Sequence, residues 1–165
     1  MTLAEIAKLM GLWDRPPRPL ECVIRECRVD DVSFGSAEQS VELSLGPSDR
    51  LRWLDYRRGV RHYSAWGLRV EVGEDGVDGL HVVVDPNRGG YLTANYSVFS
   101  GTVRTGRGQP PLDLSSPVLE RVVAELGEAK KDVDEEEIVL SYVFGEAACD
   151  LEFTLDGRLR YVCFY

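Results

Sequence analysis

The sequence predicts an α+β fold: two tandem copies of a helix packed on an antiparallel β-sheet, with an extra helix at the N-terminus. The first observation behind it is doubled punctuation. Leu45-Gly46 and Leu126-Gly127 stand 81 residues apart, and so do Asp75-Gly76 and Asp156-Gly157. Two stop signals recurring at one period mark an internal repeat. The second observation is the pattern between the signals, which is helix-periodic before each Leu-Gly and alternating around each Asp-Gly. The expected organisation is a helix and Pro-rich connector over 1–19, a first copy over 20–84, linking strands and a loop over 85–112, and a second copy over 113–165.

Taken in order, residues 2–12 place Leu3, Ile6, Ala7 and Met10 on one helical face, with Thr2 as cap. Pro16, Pro17 and Pro19 end that helix, because each lacks an amide donor and restricts the residue before it. Residues 20–34 carry short apolar patches suited to one or two strands. Ser36 followed by Gln39 predicts a capping box, and Ala37, Val41 and Leu45 form a buried stripe that Gly46 and Pro47 terminate. Residues 48–60 give no clear pattern. Strands are expected over 61–66 and 68–72, with Leu68, Val70 and Val72 inward and Arg69 and Glu71 outward, returning after Asp75-Gly76 through Leu80–Val84.

Asp85–Gly90 reads as a joint, Tyr91–Thr105 as one or two strands, and Gly106–Pro111 as loop. Ser116-Pro117 predicts a cap and first helical residue, ahead of Val118, Leu119, Val122, Val123 and Leu126. Glu128–Glu137 reads as a charged loop. Strands are expected at 138–144, 149–155 and 159–165, the last two joined through Asp156-Gly157. Val41, Leu45, Val122 and Leu126 are the expected contacts between helix and sheet.

Composition narrows the function. With 44% hydrophobic and 28% charged residues, the chain has the make-up of a globular protein and not of a disordered one. A formal charge of −9 argues against binding nucleic-acid backbones and suits a partner that is basic. Residues 1–19 lack the pattern of a signal peptide, and no apolar run is long enough for a membrane span, so no membrane association and a cytoplasmic location are expected. Cys22, Cys27, Cys149 and Cys163 show no metal-ligand spacing and read as reduced core residues.

The run from Gly35 and Ser36 through Val41, Leu45 and Gly46, then Tyr63, Asp75 and Gly76, resembles a repeat found in small outer-membrane assembly lipoproteins and in β-lactamase inhibitory protein. Val122, Leu126, Gly127, Tyr142, Phe153, Asp156 and Gly157 follow the same pattern, although the second copy lacks the opening Gly and has Glu128-Ala129 after Leu-Gly. The first copy has one extra residue after its Asp-Gly. The resemblance spans roughly 110 of the 165 residues. It implies a helix on one face of an antiparallel sheet, doubled, with a concave surface that grips another protein. The lipoproteins' N-terminal anchoring cysteine has no counterpart, since the first cysteine is Cys22.

No residue group has catalytic, cofactor-binding or metal-binding spacing, and no cofactor is expected. Gly106-Arg107-Gly108 lacks the Lys and helix start of a phosphate loop. Nothing in the spacing joins His62 to Cys22 or Cys27 as a thiol–imidazole pair. Candidate partner-binding residues fall in two groups. Trp53, Tyr56, Tyr63 and Trp66 are aromatic anchors flanked by Arg52, Arg57, Arg58 and Arg61; Asp132, Asp134, Glu135, Glu136 and Glu137 form an acidic loop for a basic partner. The function expected is non-catalytic binding of another protein, in the manner of an immunity or inhibitor protein. The alternative is a small-molecule-binding or enzymatic domain using the concave sheet face.

Overall fold

A computed structural model describes residues 19–55, 57–87 and 95–165. The N-terminal helix expected over 2–12 therefore lies outside the described residues, as do Tyr56 and the start of the segment 91–105. In chain order the elements are β1 (Leu20–Val23), β2 (Arg28–Val29), β3 (Val32–Ser33), α1 (Glu38–Leu45), β4 (Arg50–Trp53), β5 (Gly59–Tyr63), β6 (Leu68–Gly73) and β7 (Gly76–Val83). They continue with β8 (Gly101–Arg104), α2 (Leu119–Leu126), β9 (Lys130–Val133), β10 (Glu137–Phe144), β11 (Ala147–Thr154) and β12 (Leu159–Phe164).

These elements correct the α+β expectation. The described chain is mostly β, with two α-helices of eight residues each against twelve strands. The strands do not form a sheet per copy. One eight-stranded sheet runs in the order β4-β5-β6-β7-β12-β11-β10-β9, and a four-stranded sheet runs β3-β2-β1-β8. The helices stop at the glycines the sequence marks, and the difference lies in the strands. Gly46 and Gly127, at φ +76° and +91°, halt the helices after two turns. The stretch 48–60, which gives no clear pattern in sequence, and the expected loop 128–137 instead supply the edge strands β4 and β9, since a ladder satisfies backbone groups whatever side chains it carries.

β7 and β12 join the two halves of the large sheet antiparallel, with Val82 opposite Val162 and His81 opposite Cys163. Neighbouring strands of that sheet are antiparallel throughout, so alternate residues face opposite sides. Leu68, Val70, Leu80, Val82, Leu140, Leu151, Phe153, Val162 and Phe164 face one side, where they are buried with Val41 and Leu45 of α1, Val122 of α2 and Cys22, Val29 and Val32 of the small sheet. The core thus sits between the large sheet and a second layer made by both helices and the small sheet.

The helix starts differ from the capping box expected at Ser36 and from the cap expected at Ser116. α1 begins after Ala37 without a side-chain cap. Ser36 instead accepts the Ser33 amide through Oγ (2.9 Å), while its carbonyl accepts the Val77 amide (2.8 Å) and the Gly35 amide reaches the Val77 carbonyl (2.7 Å). Ser116 donates its hydroxyl to Asp113 (2.7 Å), and the amides of Val118 and Leu119 go to the Gly157 carbonyl (2.8 and 3.1 Å). In both halves the residues entering the helix are tied to an Asp-Gly turn by backbone hydrogen bonds. The helix exits match too: Tyr63 Oη donates to the Gly46 carbonyl (3.0 Å) and Tyr142 Oη to the Gly127 carbonyl (3.1 Å).

Candidate functional site: the polar face of the large sheet

The side of the large sheet away from the core carries polar residues in register. Arg50 lies opposite His62, His62 opposite Arg69, Arg69 opposite His81, His81 opposite Cys163 and Cys163 opposite Asp150, so these six alternate-facing positions form one row across β4, β5, β6, β7, β12 and β11. Directly opposed residues stand roughly 4.5–5.5 Å apart, close enough for their side chains to interact. β6 and β7 present Arg69, Glu71 and His81 here because Leu68, Val70, Leu80 and Val82 take the core side.

Two histidine–tyrosine pairs occupy this face. His81 Nδ1 is 2.7 Å from Tyr161 Oη, and His81 Nε2 is 3.1 Å from the Glu71 carboxylate, which also accepts from Arg69. Tyr161, His81, Glu71 and Arg69 therefore form a connected chain. The His81 hydrogen bond, followed by the charges of His81 and Arg69, holds the Glu71 carboxyl below the usual carboxylate range. His62 Nδ1 meets Tyr96 Oη in the second pair, and the His62 Nε2 atom is buried without a hydrogen-bond partner. Burial, then the charges of Arg69, Arg50 and Arg52, push the His62 imidazole below its ordinary value, against an opposing pull from Asp49. Burial raises Tyr96 to about 12, so its phenol stays protonated. Val83, Tyr96 and Tyr161 pack as a small apolar cluster beside these pairs, with Cys163 against them.

A cleft of about 380 Å³ opens at the β4 end of this face, lined by Arg50, Arg52, Val60, His62, Ser64, Arg69 and Tyr96 among others. A second hollow of about 350 Å³ lies on the other side of the same edge, where Trp53, Leu51, Gly59, Arg61, Glu38 and Val72 meet. There Arg61, with its side chain only 8% exposed, bridges β5 to α1 through Glu38 and Glu42. Trp53 lies over Gly59, its cross-strand partner: a Cβ on that glycine would stand 3.3 Å from the indole.

The sequence-proposed residues are dispersed by this architecture. Trp53 is exposed on the edge strand β4. Tyr63 is buried, committed to the Gly46 carbonyl and stacked on the half-buried Trp66 at 5.5 Å. Tyr56 lies outside the described residues. Asp132 and Asp134, with Glu135, Glu136 and Glu137, lie on β9, the start of β10 and the turn between them, at the opposite edge of the large sheet. Seven strand spacings separate the two groups, roughly 34 Å measured along the sheet. Asp134 is occupied in the turn itself, accepting the amides of Glu136 (2.7 Å) and Glu137 (2.8 Å), which hold its carboxyl low.

His62 and the core cysteines stay apart: His62 faces the polar side, whereas Cys22 and Cys27 belong to the core cluster. Sequence reasoning missed both histidine–tyrosine pairs. Their members lie 34 and 80 residues apart, and only the outward alternation of Arg69 and Glu71 pointed to a polar face. No group of three or more His, Cys, Asp or Glu among the described residues has metal-binding geometry. No described helix is long and apolar enough to cross a membrane.

The chain matches no protein-family model and no curated protein sequence. Among solved structures, the chain is similar to a DUF4309 family protein (YjgB) from Bacillus subtilis strain 168, at 14% identity over 79% of this chain and 78% of that one, with a TM-score of 0.43.

Proposed function

We propose that the protein is a non-catalytic protein-binding domain that engages its partner along the β4 edge, with Trp53 as the anchor. What carries this reading is the exposure of that edge. Leu51 and Trp53 are 42% and 59% exposed on a strand paired on one side only among the described residues, and Leu54, 46% exposed, follows directly after it. An unpaired edge offers backbone donors and acceptors to an incoming strand, and a tryptophan beside it supplies apolar contact at small entropic cost. The hollow between Trp53, Val72 and Arg61 gives a partner side chain somewhere to sit. The acidic hairpin stands too far from this edge for a small partner to touch both. Its carboxylates are assigned to steering a basic partner during approach, a long-range role that needs no contact. The sharpest form of the reading is a cytoplasmic inhibitor- or immunity-type protein that acts by covering its partner's surface.

The test compares capture from native cells by the wild-type chain, by Trp53→Ala, and by a hairpin variant carrying Asp132→Asn, Glu135→Gln and Glu136→Gln. A partner held by the wild type should be weakened about tenfold or more by Trp53→Ala, the effect of losing a hot-spot tryptophan. The hairpin variant should slow association at low salt and leave dissociation unchanged. Equal affinity for wild type and Trp53→Ala, or turnover of a small substrate by the purified protein, would overturn the reading.

A further inference from the structure

We propose that the cleft between β4, β5 and β6 on the polar face is a binding site for an oxyanion, the phosphate or carboxylate group of a small ligand. It is independent of the Trp53 contact, because alternate residues of β4 point to opposite sides: Leu51 and Trp53 line one hollow, Arg50 and Arg52 the other.

Donors converge on the cleft beside the apolar Leu54 and Val60. Arg50, Arg52 and Arg69 converge on it together with His62, Ser64 and Tyr96. Register explains the convergence: Arg50, His62 and Arg69 are direct cross-strand neighbours, and Arg52 follows Arg50 on the same side of β4. Three guanidiniums in one cleft are hard to account for on stability grounds in a chain of net charge −9, since like charges gathered on one face of a sheet repel. Beyond the β4–β5 backbone ladder, the side chains of Arg50 and Arg52 make no hydrogen bond or ion pair with the described residues. Arg69 has its neutralising carboxylate in Glu71, yet its Nε is buried without a partner. Asp49 exerts the opposing pull on His62 and accepts the Ala65 amide (3.3 Å).

The second observation is the orphaned His62 Nε2, buried at the cleft wall while Nδ1 is taken by Tyr96. A protonated Tyr96 that donates to Nδ1 fixes the neutral tautomer with hydrogen on Nε2, which then lacks an acceptor. A buried donor without an acceptor costs free energy, which an acceptor drawn in beside His62 would offset. Planar guanidinium forks match phosphate and carboxylate oxygens in pairs, so the donor set suits an oxyanion better than a halide. A volume of about 380 Å³ accommodates a small molecule and not a folded domain.

The experiment titrates the intact protein with inorganic phosphate, and separately with succinate, at constant ionic strength held by sodium chloride. Imidazole 15N shifts of His62 and calorimetry are read together. The expected result is saturable binding of one of the two anions, with the His62 nitrogens shifting and its titration midpoint rising by about half a pH unit or more as the bound charge offsets the arginines. Which anion binds distinguishes a phosphate from a carboxylate ligand. The Arg50→Gln/Arg52→Gln double variant, altered only at exposed positions, should bind at least tenfold more weakly while keeping the wild-type amide spectrum. Absence of saturable binding by either anion, or undiminished binding in the double variant, would overturn the proposal. Trp53→Ala should leave this titration unchanged, so the two binding readings fail separately.

Discussion

At the scale of single residues, the Asp-Gly turns rest on a positive φ that glycine adopts without strain. Gly76 is the sharpest case: at φ +115° its Cβ position would lie 2.6 Å from the Ser36 carbonyl oxygen, the atom that accepts the Val77 amide. Gly76→Ala must therefore both strain the backbone and push apart the contact between the β6–β7 turn and the entry to α1. A loss of about 1–3 kcal/mol is expected in urea melts; a loss within about 0.5 kcal/mol would mean that the turn relaxes freely. His62 supplies a prediction of a different kind. Its pKa is lowered from 6.5 by burial first and then by three arginines. The native state therefore takes up its proton less readily than the unfolded chain. Stability from this group is complete above the unfolded value and declines as pH falls through that value toward the folded one. His62→Gln should flatten the stability profile between about pH 7 and pH 5 relative to wild type. A steeper decline in the variant would reverse the assigned sign.

At the scale of elements, the two helices have matching exits but different depths. Leu45 of α1 is fully buried, while Leu126, which occupies the same place before its glycine in α2, is only partly covered. Leu45→Ala is expected to cost about 2–5 kcal/mol and Leu126→Ala distinctly less, because a partly exposed side chain surrenders less apolar area and leaves less of a cavity. Chemical denaturation of the two variants side by side checks the order. The difference also shows what could be read from the chain. Leu-Gly and Asp-Gly were legible because a positive φ at the second residue is a local requirement, visible in two letters. Depth of burial was not, since it depends on what the second layer places over each helix. The edge strands escaped for a related reason. Arg-Leu-Arg-Trp and Lys-Lys-Asp-Val have every residue exposed, so no buried face marks them as strands. The ladder that recruits them comes from β5 and β10. The polar cleft was legible only in part: alternation turned Arg69 outward, but nothing local brings Tyr96 to His62.

At the scale of the whole molecule, three of the four cysteines are enclosed by one core drawn from both halves of the chain. Burial raises Cys27 to about 11 and pushes Cys22 and Cys149 up as well; Cys163, half-buried beside His81, rises to about 12. Thiols at these values are almost wholly protonated near neutral pH, and the thiolate is the reactive form. Native protein should therefore react slowly with a disulfide reagent, with Cys163 leading and the three core thiols following together at the rate of global opening. Rapid stoichiometric labelling of Cys22 or Cys149 without denaturant would show that the layers separate locally.

The seam between β7 and β12 sets a kinetic condition on this architecture. It joins residues about 80 positions apart along the chain, Val82 with Val162 and Leu80 with Phe164, in the middle of the large sheet. On a ribosome, β7 is complete long before its neighbour has been made. Until then its inner edge presents a row of unpaired amides and carbonyls flanked by Leu80, Val82 and Val83, a template open to any other strand. Closing so long a loop delays the reward of pairing, and topologies dominated by distant contacts fold slowly. A strand made long after β7 is thus the one that seals the centre of the sheet.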